Sequence, residues 1–400
     1  MLSKNFEPVL RFVVCSDIHI KKENSVERER LRQCIKTGYA LCENEKYNRL
    51  DAFYVVGDMG DHGTPEEFEA IKKIFDEELK GETALNCSIA SHEFSFEGEE
   101  RAKERLFEYF GLEPSTHRVI NGFHFISIGC TCGCHFKENE REEAIKALEE
   151  ARKDDPQKPI FFFQHPHIFD TVYGSIAWGE DELTDILINY PQVIDFSGHS
   201  HCPVNDPRSI HQKHFTSLGT GTLSYFEMDE FDKTYGTIPD RSHEAAQMLL
   251  VEADKDGRVR IYPYDLISGN FFGYIWEIDE PWNPQSFKYT DERYKTTEKP
   301  WFEEGARVEL SFENGNLTAT FPQARVNSDR VDCYQAVLKD KNGLQIRKIN
   351  IFSGYYLYDM PKSLSVTFEN VEKGDYAVEI YAESFWKTVS EPLKGLTPRG

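Results

Sequence analysis

The stretch Phe53-Tyr54-Val55-Val56-Gly57-Asp58-Met59-Gly60-Asp61 constrains this chain most. An unbroken apolar run reads as a strand buried on both faces, the kind found in a parallel sheet. The run stops at a glycine, which lets the backbone turn sharply and leaves Asp58 at the strand's carboxyl end. In open α/β sheets ligands bind at that edge. A carboxylate has two oxygens, so one placed there can hold two metal ions at once.

Four further sets of polar residues follow short apolar runs. Asp17-Ile18-His19 comes after Arg11–Cys15. On an extended chain alternate residues face the same way, so Asp17 and His19 can grip one ion. Ser91-His92-Glu93 follows Cys87–Ala90, Gln164-His165-Pro166-His167 follows Ile160–Phe163, and Gly198-His199-Ser200-His201 follows Val193–Phe196. Aspartate with imidazole is a donor set suited to Zn, Fe or Mn. Each piece alone is ordinary: Asp-x-His arises by chance, and a His-x-His pair in a loop is more often on the surface. Five such pieces, each at the end of an apolar run, are much harder to explain that way.

Their order resembles the calcineurin-like metallophosphoesterase family. That family's pattern runs Asp-x-His, Gly-Asp-x-x-Asp, Gly-Asn-His-Asp/Glu, a lone His and Gly-His-x-His. Here it reads Asp17-Ile18-His19, Gly57-Asp58-Met59-Gly60-Asp61, Ala90-Ser91-His92-Glu93, His165 and Gly198-His199-Ser200-His201. The resemblance implies an α/β (α+β) catalytic domain with four α/β/β/α layers and two metal ions (Mn, Fe or Zn). Asp17, His19, Asp58 and His201 would hold one ion. Asp58, His165 and His199 would hold the other, with Asp58 bridging. His92 would act catalytically beside the phosphate, helping to protonate the leaving oxygen, and Asp61 would orient a neighbour. For His92 a structural role packed on Glu93 is the alternative. The chain departs from the pattern at Ser91, where the family has an asparagine metal ligand. Serine is shorter and a poor neutral ligand, so water, Glu93 or another group would have to complete the second metal position.

The implied reaction is hydrolysis of a phosphoester by a hydroxide held between two ions about 3.5–4 Å apart. A small phosphodiester is the preferred substrate. A phosphomonoesterase is the nearest rival; it needs extra cationic groups to hold the more charged ester. The remaining alternative is a catalytically impaired metal-binding or interaction protein, with Ser91 marking a decayed site.

Other residues leave two readings open. His167 is a substrate contact or an exposed loop residue. Arg208 matches the geometry of an outer phosphate oxygen or is a surface charge, and for His211 and His214 the surface is expected. In Cys130-Thr131-Cys132-Gly133-Cys134-His135 a metal or redox role is conceivable, but the spacing does not match the usual zinc pairs. Inert buried or half-exposed thiols are the expectation there. In the loop 166–179, Tyr173 and Trp178 shape a pocket or pack on the surface.

The 400 residues predict three segments: a catalytic domain over 1–269, an aromatic, proline-bearing linker over 270–304, and an all-β sandwich over 305–400. Helices are expected at 25–47, 98–110, 138–153 and 180–189, and after Thr64, which with Pro65 and Glu67 forms a capping box. Asn121-Gly122 predicts a hairpin between 117–120 and 123–128, and Asp256-Gly257 another between 248–253 and 259–264. In the last segment Val308, Leu310 and Phe312 alternate, Asn314-Gly315 turns the chain, and Tyr376–Pro392 weakly resembles the last hairpin of a fibronectin type III domain. The net charge of −23 argues against a long nucleic acid as ligand. It does not oppose a small phosphoester, because metal ions dominate the local field. Nine cysteines, with no apolar leader and no membrane-length run, lead to the expectation of a reducing cytoplasm and no membrane association.

Overall fold

The computed structural model describes residues 6–131, 134–228, 236–327 and 330–397. These divide into two units, Met1–Asp291 and Glu292–Gly400. In chain order the first unit contains β1 (Pro8–Cys15), α1 (Val26–Cys42), β2 (Ala52–Val56), α2 (Pro65–Glu78), β3 (Ala84–Ser88), α3 (Gly98–Phe110), β4 (Thr116–Ile120), β5 (Phe123–Ser127), α4 (Glu138–Asp154), β6 (Ile160–Phe163), β7 (His167–Ile168), α5 (Ser175–Trp178), β8 (Gly179–Glu180), α6 (Thr184–Leu187), β9 (Val193–Ser197), β10 (Ile210–Gln212), β11 (Thr216–Gly219), β12 (Gln247–Asp254), β13 (Val259–Asp265), β14 (Asn270–Phe271) and β15 (Trp276–Ile278).

Two mixed sheets form from these strands. One has the order β14-β13-β12-β1-β2-β3, with β15 also beside β13; the other has the order β10-β11-β9-β6-β5-β4. β1, β2 and β3 are parallel, as are β5, β6, β9 and β11. These strands are covered on both sides, which is why their sequences are near-continuous apolar runs. The inner faces meet in one aromatic core: Phe12, Val14, Tyr54 and Val56 from the first sheet against Phe125, Phe161, Phe163 and Phe196 from the second. On the first sheet's outer face, Val13 and Val55 pack with Leu31, Ile35, Phe68, Ile71 and Leu106 from α1, α2 and α3. On the second sheet's outer face, Ile126, Phe162 and Val193 pack with Ala144 and Leu148 of α4 and Leu187 of α6. The result is a four-layer α/β/β/α sandwich.

Local signals set several boundaries. Thr64 accepts from the Glu67 N–H and Glu67 accepts from the Thr64 N–H, closing a capping box ahead of α2. Asn121 and Gly122 both have positive φ, so β4 and β5 join through the tight turn expected of that pair. Two expectations fail. Residues 270–278 are not a linker: β14 and β15 pair with β13, Phe271 lies edge-on to Tyr264 and Trp276 enters the core between the sheets. Strands of two and three residues are too short to show a period of two. The predicted helix 180–189 shrinks to Thr184–Leu187, because the Glu180 carbonyl instead accepts from Phe169 N–H as β7 pairs with β8.

The second unit is all β: β16 (Glu309–Glu313), β17 (Asn316–Pro322), β18 (Cys333–Lys339), β19 (Gln345–Phe352), β20 (Ser363–Phe368), β21 (Ala377–Glu383) and β22 (Leu393–Leu396). They form antiparallel sheets of order β16-β17-β20 and β19-β18-β21-β22. Every second residue of β17 (Leu317, Ala319, Phe321) is buried, and these meet Tyr334, Ala336, Leu338, Val378 and Ile380. Among the described residues no helix is long and apolar enough to cross a membrane.

Phe12 sits at the centre of the inter-sheet core, with its ring edge-on to Phe125 at 5.0 Å and to Phe161 at 4.8 Å. Phe12→Ala is expected to lower unfolding free energy by about 3–5 kcal/mol, read from the urea midpoint. A loss below about 1 kcal/mol would show that the cavity collapses. A second expectation concerns Asp195, on the outer face of β9. It is fully buried, one oxygen accepts from Gln164 at 3.2 Å, and the other has no partner among the described residues. Burial pushes its carboxyl up to about 8, against about 4 in an unfolded chain. Between those values the native state binds the extra proton, so stability falls as pH rises. Asp195→Asn removes this loss, and the variant should outlast the parent above about pH 8, in thermal unfolding across pH. Parallel curves for the two proteins would refute the assignment.

Candidate metal centre

The carboxyl ends of the parallel strands face one place. The loop after β1 and the loop after β2 run side by side: Asp17 N–H donates to the Gly57 carbonyl (3.2 Å), Ile18 N–H to that of Asp58 (2.8 Å) and Ile20 N–H to that of Met59 (2.9 Å). Gly198 N–H donates to the His165 carbonyl at 3.0 Å, joining the loops after β6 and β9. The packing leaves no room at Gly57, where a Cβ would lie 2.2 Å from His165 Nδ1 and φ is +85°. Asp17 and His19 do not sit on an extended chain as the Asp-x-His spacing suggested. Both have positive φ, and so do Asp58, His199 and His201. The bonds between the loops hold this left-handed backbone, and such strain gathers where side chains must be aimed.

The aimed groups are close together. One donor atom each from Asp17, His19 and His201 lies within 4.8 Å of the others; Asp17, Asp58 and His165 form a second such group, and His19, Asp61 and His92 a third. His19 Nε2 and His201 Nε2 are 3.1 Å apart, and His165 Nε2 is 3.1 Å from Asp58 Oδ2. Three ring nitrogens are tied to main-chain carbonyls: His165 Nδ1 to Val56 (2.8 Å), His201 Nδ1 to Tyr225 (2.9 Å) and His92 Nδ1 to Asp61 (2.8 Å). Metal-binding imidazoles are characteristically fixed in this way. His19 Nδ1 is buried without a hydrogen-bond partner among the described residues, and His165 Nε2 has only the poorly aligned Asp58 carboxylate beside it. Orphaned nitrogens beside two buried carboxylates are costly unless a cation fills the space between them, so the residues present fit a metal ion.

Burial holds His19 well below the ordinary imidazole range and His199 down at about 3, so both are in the neutral form a metal ligand takes. Burial also acts against the charge on Asp58, but His165 above all, with His92, outweighs it and holds the carboxylate ionised. The His92 main-chain N–H donates to Asp58 Oδ1 (3.2 Å), and its ring meets His19 edge-on at 4.4 Å. Asp61 approaches His19 Nδ1 at 3.7 Å.

Other candidates fall outside this cluster. Glu93 does not reach in to replace the missing asparagine: its two oxygens accept from Gly60 N–H and Ala90 N–H, both at 2.9 Å, so it braces the loops after β2 and β3. His167 is neither a substrate contact nor exposed. It is buried between the hydroxyls of Ser197 and Ser200, each at 2.7 Å from a ring nitrogen, and so supports the turn that carries His199 and His201. Arg208 grips Asp206 through two nitrogens (2.9 and 2.7 Å) and lies over the Tyr173 ring. His211 is buried and pairs with Asp291 at 2.9 Å. Trp178 lies edge-on to His199 at 5.0 Å, and the Tyr225 ring lies tilted over His201 at 4.3 Å; these two line the cluster. A cleft of about 710 Å³ bordered by Arg141, Phe169 and Lys213 contains none of its residues.

One residue at the cluster was read from the sequence as an inert thiol. Cys134 lies in the loop after β5, the parallel neighbour of β6, and one donor atom each from Cys134, His165 and His199 lies within 4.8 Å of the others. Hydrogen bonds from Cys130 and the Ser91 side chain, with the His165 charge, bring its thiol down to about 7 despite burial. Cys132 lies outside the described residues.

The comparison with curated proteins returns no match. Among solved structures the chain is similar to the purple acid phosphatase PPD1 of yellow lupin (Lupinus luteus) seeds, with 14% identity and a TM-score of 0.45 over 66% of this chain and 52% of that one. It is also similar to the NAD nucleotidase NadN of Haemophilus influenzae, with 13% identity and a TM-score of 0.36 over 70% of this chain and 56% of that one. The chain thus spans about half the length of these two structures. A family model, calcineurin-like phosphoesterase, matches residues 10–203, the stretch that carries all five motifs. Residues 10–203 therefore belong to the calcineurin-like phosphoesterase family, whose members are metal-dependent hydrolases.

Proposed function

We propose that this phosphoester hydrolase acts on a small phosphodiester through two metal ions. Asp17, His19, Asp58 and His201 would hold one ion, and Asp58, His165 and His199 the other. When bound, the ions supply Lewis-acid charge for the phosphate oxygens and activate water. The chain's own groups do the rest. Asp58 orients His92 through its N–H bond, and the Asp61 carbonyl fixes the His92 ring, so the other ring nitrogen faces a bound ester and serves the leaving oxygen. Trp178 and Tyr225 give the ester's organic groups flat surfaces.

The observation that carries the diester preference is the charge around the cluster. The leading electrostatic influences on Asp17, Asp58 and His92 are histidines and carboxylates, with no lysine or arginine among them, and Arg208 is committed to Asp206. A dianionic monoester calls for cationic partners more than a monoanionic diester does, so this charge environment favours the diester. The acidic chain favours a small substrate over a long nucleic acid, and the buried thiols fit a reducing cytoplasm. In the second unit, the strand orders β16-β17-β20 and β19-β18-β21-β22 support a fibronectin type III-like sandwich.

The test is hydrolysis of bis-p-nitrophenyl phosphate and p-nitrophenyl phosphate by metal-stripped protein, with Mn²⁺ or Zn²⁺ titrated back. The diester should show the higher kcat/KM, and Asp58→Asn should lower it by more than roughly 100-fold. A faster monoester would assign a phosphomonoesterase. No turnover of either ester by folded, metal-loaded protein would assign the impaired, binding role. His92→Ala should lower kcat by roughly 100- to 10,000-fold for a diester with an alkoxide leaving group, and by much less for p-nitrophenolate, which needs no proton. Equal losses for both would give His92 a structural role.

A further inference from the structure

The position where the family has its asparagine ligand holds Ser91, and neither Ser91 nor Glu93 completes the second metal position. Serine is a short, neutral and poor ligand, and Glu93 is spent on two main-chain N–H groups. What stands beside His165 and His199 instead is the Cys134 sulfur. Three independent features place it there as a built part of the site. It hangs from the carboxyl end of a parallel strand, as do the other donors. Its backbone is left-handed, with φ of 67°, in common with Asp17, His19, Asp58, His199 and His201. Its loop is pinned on both sides: Cys134 N–H donates to the Thr131 carbonyl (2.9 Å), Thr131 N–H donates to the His135 carbonyl (2.7 Å), and His135 reaches Glu180 and Glu182 at 3.1 and 3.0 Å. His165, whose Nε2 lies 3.1 Å from the Asp58 carboxylate of the same cluster, borders the same space.

We infer that Cys134 is the missing protein ligand of the second metal position, binding as a thiolate where the family uses the asparagine at Ser91. The inference rests on the two-ion reading proposed above. Thiolate, two imidazoles and a bridging carboxylate make a softer donor set than the asparagine-bearing one. Such a set suits Zn²⁺ over Mn²⁺ or Mg²⁺ at this position. The Ser91 hydroxyl, too short to ligate, instead bonds the sulfur and orients it.

The test uses the full chain under reducing conditions, stripped of metal and titrated with Co²⁺ and then Zn²⁺. Wild-type protein should bind two Co²⁺ per chain, and the second should bring a near-ultraviolet thiolate-to-cobalt charge-transfer band. Cys134→Ser should lose that band and weaken the second Zn²⁺ by roughly 100-fold or more, the share of one ligand in a four-ligand zinc site. Cys130→Ser should keep both. Adding Ser91→Asn to Cys134→Ser should restore the second ion without the band. Two Co²⁺ bound by wild-type protein with no such band would overturn the inference while leaving the two-ion reading intact, and this arm needs no variant to fold. Fewer than two ions per wild-type chain would instead overturn the two-ion reading itself.

Discussion

Two carboxylates, Asp17 and Asp58, are held in the interior at the ends of neighbouring parallel strands, and the first unit is arranged around making that tolerable. Both are essentially inaccessible to solvent. Two negative charges this close together in a medium of low polarity are strongly unfavourable unless positive charge is placed between or beside them. The chain supplies imidazoles from three different loops, and each ring is aimed by a second bond or by a left-handed backbone. The arrangement therefore asks for cations. The orphaned ring nitrogens are the points at which it asks.

The aromatic core between the sheets is what lets such a site exist. Phenylalanines from both sheets interlock at the centre, so the strand ends are fixed relative to each other, and the loops inherit that rigidity. Donor atoms can then be kept within a few ångströms of each other without the metal. The hydrogen bonds between the loops after β1 and β2 add a local clamp, and Gly57 permits the close approach of His165.

Much of this was legible in the sequence. Parallel strands buried on both faces announce themselves as apolar runs, and the donor residues follow them directly, so strand position and donor position were read together. What was not legible depended on three-dimensional neighbours. The spacing of Asp17 and His19 suggested an extended chain, but pairing with the loop after β2 forces both residues into the left-handed region. His167 looked like the partner of His165, yet it is buried against two serine hydroxyls. Glu93 looked available, yet the loops consume both its oxygens. Residues 270–278 lacked any period because their strands are too short to show one. Cys134 lay in a cysteine cluster that matched no zinc spacing, since its companions are histidines from distant strands. The signal that could have drawn attention to it was that its loop, like those of the donors, follows an apolar run, here Phe123–Ile128, though at a greater distance.

That regularity has a consequence for how such sites change. When each parallel strand delivers one loop to a common edge, the space beside any donor is bordered by loops from its neighbours and from the facing sheet. On the inference drawn above, a ligand lost from the loop after β3 is replaced from the loop after β5, in the other sheet, without moving a strand, because Ser91 bonds Cys134 there. The replacement preserves donor count and changes donor softness. A fold of this kind can therefore retune which metal it prefers by exchanging one neutral oxygen for one sulfur, while the carboxylates and imidazoles that the interior charge balance depends on stay in place.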